Sequence, residues 1–243
     1  MVFMHNICNK ETGSKVRVKR GVAIILLPTA VIALREAGSQ PPITLPLESP
    51  FSGRIIGVNL FFQNFGQWVK RKRGYLKMFL ASIYHSIDDT EHKAFNETLS
   101  SLINYIPKSA DFFGGYDVNT NLGVMLKMNR RAILPHGINN RNKKGRRLLG
   151  LLSANNLKIV NTFYQKGSYT TWTSFHKTRS CHMLDVMTSY LLFFKCIIDC
   201  CVTQKGVSNY HSAVQVVFLN RTIEFKSDYV ERPVIDWNEI KRY

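Results

Sequence analysis

The stretch from Ala110 to Gly123, ADFFGGYDVNTNLG, constrains the fold of this chain more than any other. Apolar residues run into a glycine pair and then into Asp117-Val118-Asn119, the pattern of a buried strand with a polar end. In an extended segment residues i and i+2 point the same way, so Asp117 and Asn119 are expected to converge at the strand's C-terminal end. The same residues also suit an Asx-type turn in which both side chains bond nearby backbone. The rest of the chain has to decide between the two.

Before that strand, Thr90 to Ile106 predicts a helix, with Phe95, Leu99, Leu102, Ile103 and Ile106 on one stripe and Asp88 with Glu91 as a capping box. Pro107 stops it. Arg20 to Pro28 is a nearly continuous apolar run, as expected of a strand covered on both faces. Arg54 to Phe62 and Tyr75 to Tyr84 read as further strands, and Gly38 to Pro50, with four prolines, as a surface loop. A second helix is expected after Asn142, which can cap it, and runs through Leu148, Leu149 and Leu152 to about Asn155. Strands follow at Leu157 to Thr162, Tyr169 to Ser174, Met183 to Ser189, Cys196 to Thr203 and Ser212 to Leu219. So many strands exceed one flat sheet. Two sheets packed face to face with helices outside are the economical solution, an α/β (α+β) arrangement. Met1 to Lys19 is polar and reads as irregular.

The 243 residues carry 33 Lys+Arg against 16 Asp+Glu, and this net charge of +17 favours a polyanionic partner. Two places concentrate it. The run Trp68 to Arg73 reads as a solvated hairpin tip or, more sharply, a nuclear-import signal or phosphate contact. The expected first turn after Asn142 holds Lys143, Lys144, Arg146 and Arg147, where cations oppose the helix dipole unless an anion is bound. Five cysteines without paired spacing indicate neither a disulfide framework nor a zinc site. Val22 to Leu34 is too short to span a bilayer, contains Pro28 and lacks a cleavage pattern, so the expectation is an intracellular location, with the nucleus included.

Three separated spots share one character, a polar residue in or at the end of an apolar strand: Asp117 with Asn119, Asp185 in Met183-Leu184-Asp185, and His211 in Ser208-Asn209-Tyr210-His211-Ser212. In this order they resemble the endonuclease/exonuclease/phosphatase superfamily, whose strand ends read roughly G-D-x-N, Q-[IL]-D-[YH] and S-D-H. The likeness is closest to the endonuclease domains of non-LTR retrotransposons. Arg20-Gly21-Val22-Ala23-Ile24 resembles their RGVAI strand, and Ser82-Ile83-Tyr84-His85 sits where they carry a Y-x-P strand end. Arg141-Asn142-Lys143-Lys144-Gly145 with Leu148-Leu149, Leu157 to Phe163, and Thr171-Trp172 resemble their RN-x-x-G…LL, L-x-[IV]-x-NT-x-F and TW segments.

The resemblance implies a four-layer α/β/β/α sandwich of two mixed sheets and Mg²⁺-dependent phosphodiester hydrolysis, with nicking of double-stranded DNA by a retrotransposon-derived domain. It implies that His211 contacts the phosphate or takes the water's proton, with Asp185 fixing its tautomer. It further implies that Asp117 orients or deprotonates the water, Asn119 donates to a phosphoryl oxygen, and Tyr84 supports that oxygen or the leaving group. Asn142, Lys143, Lys144, Arg146, Arg147 and Trp172 are the expected nucleic-acid contacts. The likeness spans roughly residues 20–226, leaving 1–19 as an irregular segment and 227–243, which include Asp236-Trp237, as a linker. Two departures bear on the metal. No Asn-bearing and Glu-bearing strands precede Arg20, Glu11 lying in a polar segment, so the domain is expected to lack its first strands and that metal ligand. Tyr210 stands where the family carries the Asp before His211, and a phenol does not replace a carboxylate beside Mg²⁺. The rival expectations are a nucleic-acid-binding remnant without catalysis, and the same fold acting on a phospholipid or inositol phosphate.

Overall fold

The computed structural model of the chain describes residues 1–8, 18–63, 75–85, 88–124, 132–166, 174–175, 181–206 and 211–218. At its centre is a mixed sheet of six strands. In spatial order these are β3 (Ile43–Thr44), β4 (Ile55–Gln63), β5 (Tyr75–Tyr84), β6 (Asp111–Asp117), β10 (Asp185–Tyr190) and β7 (Leu157–Ile159). Only the β5–β6 pair in this sheet is parallel, and a parallel pair needs a crossover. Helix α2 (Asp89–Tyr105) supplies it, capped by Asp88, whose carboxylate accepts the Thr90 N–H at 2.8 Å.

Alternation along β6 sorts the two faces. Phe112 and Tyr116 pack toward α2 and toward α3 (Lys143–Ala154), meeting Phe95, Leu99, Ile103, Leu148, Leu149 and Leu152 in one buried cluster. Phe113 points to the opposite face, and Asp117 shares its parity. That second face is covered by α1 (Pro28–Glu36), α4 (Leu191–Phe194) and two antiparallel hairpins, β1 (Val2–Cys8) with β2 (Val18–Ile25), and β11 (Ile197–Gly206) with β12 (Ser212–Phe218). A further short pair, β8 (Ser174–Phe175) with β9 (Cys181–His182), forms a two-stranded sheet of its own. The ring of Phe113 is edged by Phe193 and Phe218 at 5.6 and 5.1 Å, which ties α4 and β12 to the middle of the sheet.

Several elements differ from the sequence expectation. The first residues are not irregular: Val2–Cys8 is a strand whose partner is β2, and its alternation was obscured by His5-Asn6 in the middle. The prolines of the expected loop flank a two-residue edge strand, β3. The strand expected over Leu157 to Thr162 stops at Ile159 and tightens into a 3-10 turn over Val160–Phe163. Glu91, expected to complete a capping box, holds the buried guanidinium of Arg54 at 2.9 Å. Most of the expected strand Tyr169 to Ser174, the Trp68 to Arg73 run, Trp172, Tyr210 and the expected linker lie outside the described residues. Among the described residues no helix is long and apolar enough to cross a membrane.

Candidate active site

Register builds the site. In the parallel pair Tyr84 stands beside Asp117, and in the antiparallel pair Asp117 stands beside Asp185, so three polar residues form one row across β5, β6 and β10. The row sits at the C-terminal ends of β5 and β6 and the start of β10. His211, just ahead of β12, joins it from the hairpin layer, its Nδ1 2.9 Å from Asp185 Oδ2. These four residues line one cleft of ≈ 410 Å³, with Ser82, Gly115 and Met187 on its floor and the edges of β2 and β12 as its walls.

The chemistry follows from burial and charge. Burial, and then the neighbouring Asp185 carboxylate, push the Asp117 carboxyl up to about 6, while the Asn119 N–H and His211 pull it down. A carboxylate with that value is a better proton acceptor near neutral pH than an ordinary aspartate. Arg54 lies 5.9 Å from the centre of the Tyr84 ring and donates from Nη2 to Glu91, so the tyrosine is backed by a fixed cation.

One ligand atom from each of Asp117, Asp185 and His211 lies within 4.8 Å of the other two, a spacing one metal ion can bridge. Mg²⁺ is commonly held through one or two carboxylates, with water and substrate phosphate completing its shell. The two aspartates meet that minimum, and their like-charge contact is what a cation between them relieves.

The residues expected at the site are not all brought to it in the expected way. Asn119 is past the end of β6 in a left-handed conformation, φ 46°, so the extended geometry expected to align it with Asp117 ends too early. Its N–H donates to Asp117 Oδ1 at 3.2 Å and its Nδ2 to the His85 carbonyl at 3.0 Å. The Asx-type turn is therefore present, and it is what shapes the end of the strand beside the row. Asn142 caps α3, its Oδ1 accepting the Gly145 N–H at 2.8 Å and the Thr120 hydroxyl at 2.6 Å. Gly145 permits this approach, since a Cβ there would fall 1.9 Å from the Asn121 carbonyl oxygen. The start of α3 is thus fastened to the segment that follows Asn119. Lys143, Arg146 and Arg147 are exposed there, whereas Lys144 is largely covered and 3.7 Å from Asp89.

Asn161 was not singled out from the sequence, and it holds the site from behind. Its amide donates to the Asp185 carbonyl at 3.2 Å and accepts the Met187 N–H at 2.8 Å, clamping the first residues of β10. Its position in the Leu157 to Phe163 stretch, a polar residue inside an apolar run, was the available signal.

By sequence the chain matches no family model and no curated protein. By structure it is similar to the endonuclease domain of TRAS1, a telomere-specific non-LTR retrotransposon, with a TM-score of 0.51 and 16% identity over 90% of this chain and 81% of that one. It is similar also to an AP endonuclease from Archaeoglobus fulgidus, with a TM-score of 0.53 and 15% identity over 89% and 78% of the two chains. The chain has the endonuclease/exonuclease/phosphatase fold. The six-stranded sheet with α2 and α3 forms one sheet layer and its helical cover, and the two hairpins pack on its other face.

Proposed function

We propose that this chain is a phosphodiester-cleaving domain that nicks DNA with Mg²⁺, derived from a retrotransposon endonuclease. The observation that carries the reading is the Tyr84–Asp117–Asp185 row joined by His211 at one cleft. Asp185 accepts the Nδ1–H of His211, which makes Nε2 the nitrogen that meets the phosphate or takes the proton of the attacking water. Asp117 orients that water or, with no metal on its carboxylate, can receive its proton, its proton affinity being raised by burial. Tyr84 donates its hydroxyl to a non-bridging or leaving oxygen, and Asn119, which spends one amide hydrogen on His85, has a second for a phosphoryl oxygen. Mg²⁺ held by Asp117 and Asp185 would neutralise charge on the phosphate. Lys143, Arg146 and Arg147, with Asn142 fixing their helix beside the Asn119 turn, contact the backbone of the duplex. Trp172 is assigned to the same surface by the sequence resemblance alone. The net charge of +17 and the TRAS1 likeness favour DNA over a small phosphate ester, and a nuclear location accords with both.

A second reading is DNA binding without cleavage, favoured by a donor set of only two carboxylates among the described residues. A plasmid-nicking assay in Mg²⁺ separates the two. Nicking by the purified chain that falls about 10²–10⁴-fold in His211→Ala supports the enzyme. Salt-sensitive DNA binding with no nicking supports the binding module and ends the catalytic reading.

A further inference from the structure

Beneath the Asn119 turn lies a polar cluster that the proposed chemistry does not use. His85, His92 and Asn96 are buried to 0%, 0% and 9% exposure, in a region otherwise filled by Phe95, Leu99 and Val118. His85 Nε2 is 2.9 Å from Asn96 Oδ1, and Asn96 Nδ2 is 3.1 Å from His92 Nδ1. The two imidazoles lie 4.2 Å apart, and the edge of Phe95 meets His85 at 4.5 Å. Chemistry fixes the protons. Asn96 Oδ1 only accepts, so His85 donates from Nε2; Asn96 Nδ2 only donates, so His92 accepts at Nδ1 and carries its hydrogen on Nε2. Burial and the neighbouring His85 keep His92 neutral, with its pKa lowered to about 4.

Among the described residues His92 Nε2 then has no hydrogen-bond partner. An unpaired buried N–H costs the fold stability, and apolar residues of similar shape would avoid that cost. Packing alone therefore does not account for the cluster. What it does hold is the main chain of His85, the residue just past β5. The His85 N–H donates to the Asp117 carbonyl at 2.8 Å, and its carbonyl accepts from Asn119 Nδ2 at 3.0 Å. One residue thus brackets the turn on both sides, and its ring pins that backbone to α2 where the strand has ended.

We infer that His85, anchored through Asn96 and His92, is a positioning residue that sets the Asp117–Asn119 turn at the cleft. This rests on the phosphodiesterase reading for its functional meaning, but its structural content is independent of activity. The full chain is compared with His85→Leu and His85→Gln in two measurements: kcat and KM for nicking of supercoiled plasmid in Mg²⁺, and ¹H–¹⁵N spectra of the Asn119 side-chain amide. In His85→Leu, kcat is expected to fall about tenfold with KM within about twofold, as for a misplaced catalytic group. The Asn119 amide signals move to solvent-exposed positions. Glutamine can donate to Asn96 as the imidazole does, so His85→Gln returns both readouts toward those of the parent. The inference is overturned if His85→Leu matches the parent in kcat and amide signals, or if His85→Gln is as impaired as leucine. Should His85→Leu not fold, Asn96→Leu removes the same hydrogen bond and carries the same comparison. If the parent does not nick DNA, the catalytic reading fails, and the amide spectra alone uphold or overturn the positioning role.

Discussion

The two faces of the six-stranded sheet do different work with the same strands. On one, Phe95, Leu99, Leu148 and Leu149 are fully buried against Phe79 and Phe112, and the layer is closed. On the other, two hairpins stand as separate two-stranded sheets, and the cleft that holds Asp117, Asp185 and His211 opens between β2 and β12. Because side chains alternate along a strand, β6 can send Phe112 and Tyr116 into the closed face and Gly115 and Asp117 to the open one. Stability and chemistry are thereby separated by parity rather than by distance. Substitutions of exposed groups on the open face should change cleavage with little effect on folding, and those of apolar groups on the closed face the reverse.

The largest expected effect is at the open face. His211→Ala should lower nicking by about 10²–10⁴-fold. Its side chain is 38% exposed, so the thermal midpoint should hardly move, and parallel nicking and melting measurements on the same preparation check both. A comparable loss of melting temperature would show that the separation of the faces is wrong. The converse is Leu149→Ala, which should cost about 2–5 kcal/mol in urea unfolding through the cavity it leaves, while the folded fraction nicks at the parent rate.

That separation also governs what could be read from sequence. The closed face was legible because its signals are local: the stripe from Phe95 to Ile106, the Asn142 cap and the alternation of β4 and β5 each sit within a few residues. The order of Asp117, Asp185 and His211 was legible too, and the resemblance implied the contact seen between His211 and Asp185. Four features were not. The left-handed Asn119 depends on an acceptor 34 residues away, the His85 carbonyl. The clamp on Asp185 comes from Asn161, 24 residues away, and Val2–Cys8 pairs with β2; both depend on contacts between separate elements. The polar cluster joins His85, just past β5, to His92 and Asn96 one turn apart on α2, a contact between elements that no local pattern marks.

Two titrations of opposite sign sharpen the comparison further. His92 on the closed side has its pKa lowered from 6.5 to about 4, so the unfolded chain binds more protons between those values, and stability contributed there is lost as pH falls. Asp117 on the open side is raised from 3.8 to about 6, so the folded chain binds more protons, and stability is lost as pH rises through that window. Each is worth up to about 3 kcal/mol, and between pH 4 and 6 they oppose each other. The parent should therefore show a shallow stability profile there. Asp117→Asn removes one of the two, and its urea midpoint should fall steeply from pH 6.5 toward 4; equally flat profiles would mean that His92 is not the buried neutral group described.

The smallest effects belong to the cations of α3, and they test whether the open face extends along that helix. Lys143, Arg146 and Arg147 are exposed at a helix start, where positive charge opposes the dipole, so they are not there for the helix. Lys144 differs, being drawn 3.7 Å from Asp89. If the three exposed cations neutralise phosphates, each alanine substitution should reduce the dependence of log K on log salt by about 0.9 and weaken binding uniformly across DNA sequences. Lys144→Ala should change that slope least, because its charge is already shared with a carboxylate. Fluorescence anisotropy of a labelled duplex over a range of salt concentrations reads the slopes directly. Equal slopes for all four variants would place the DNA elsewhere and leave α3 as support for the Asn119 turn through Asn142 and Thr120.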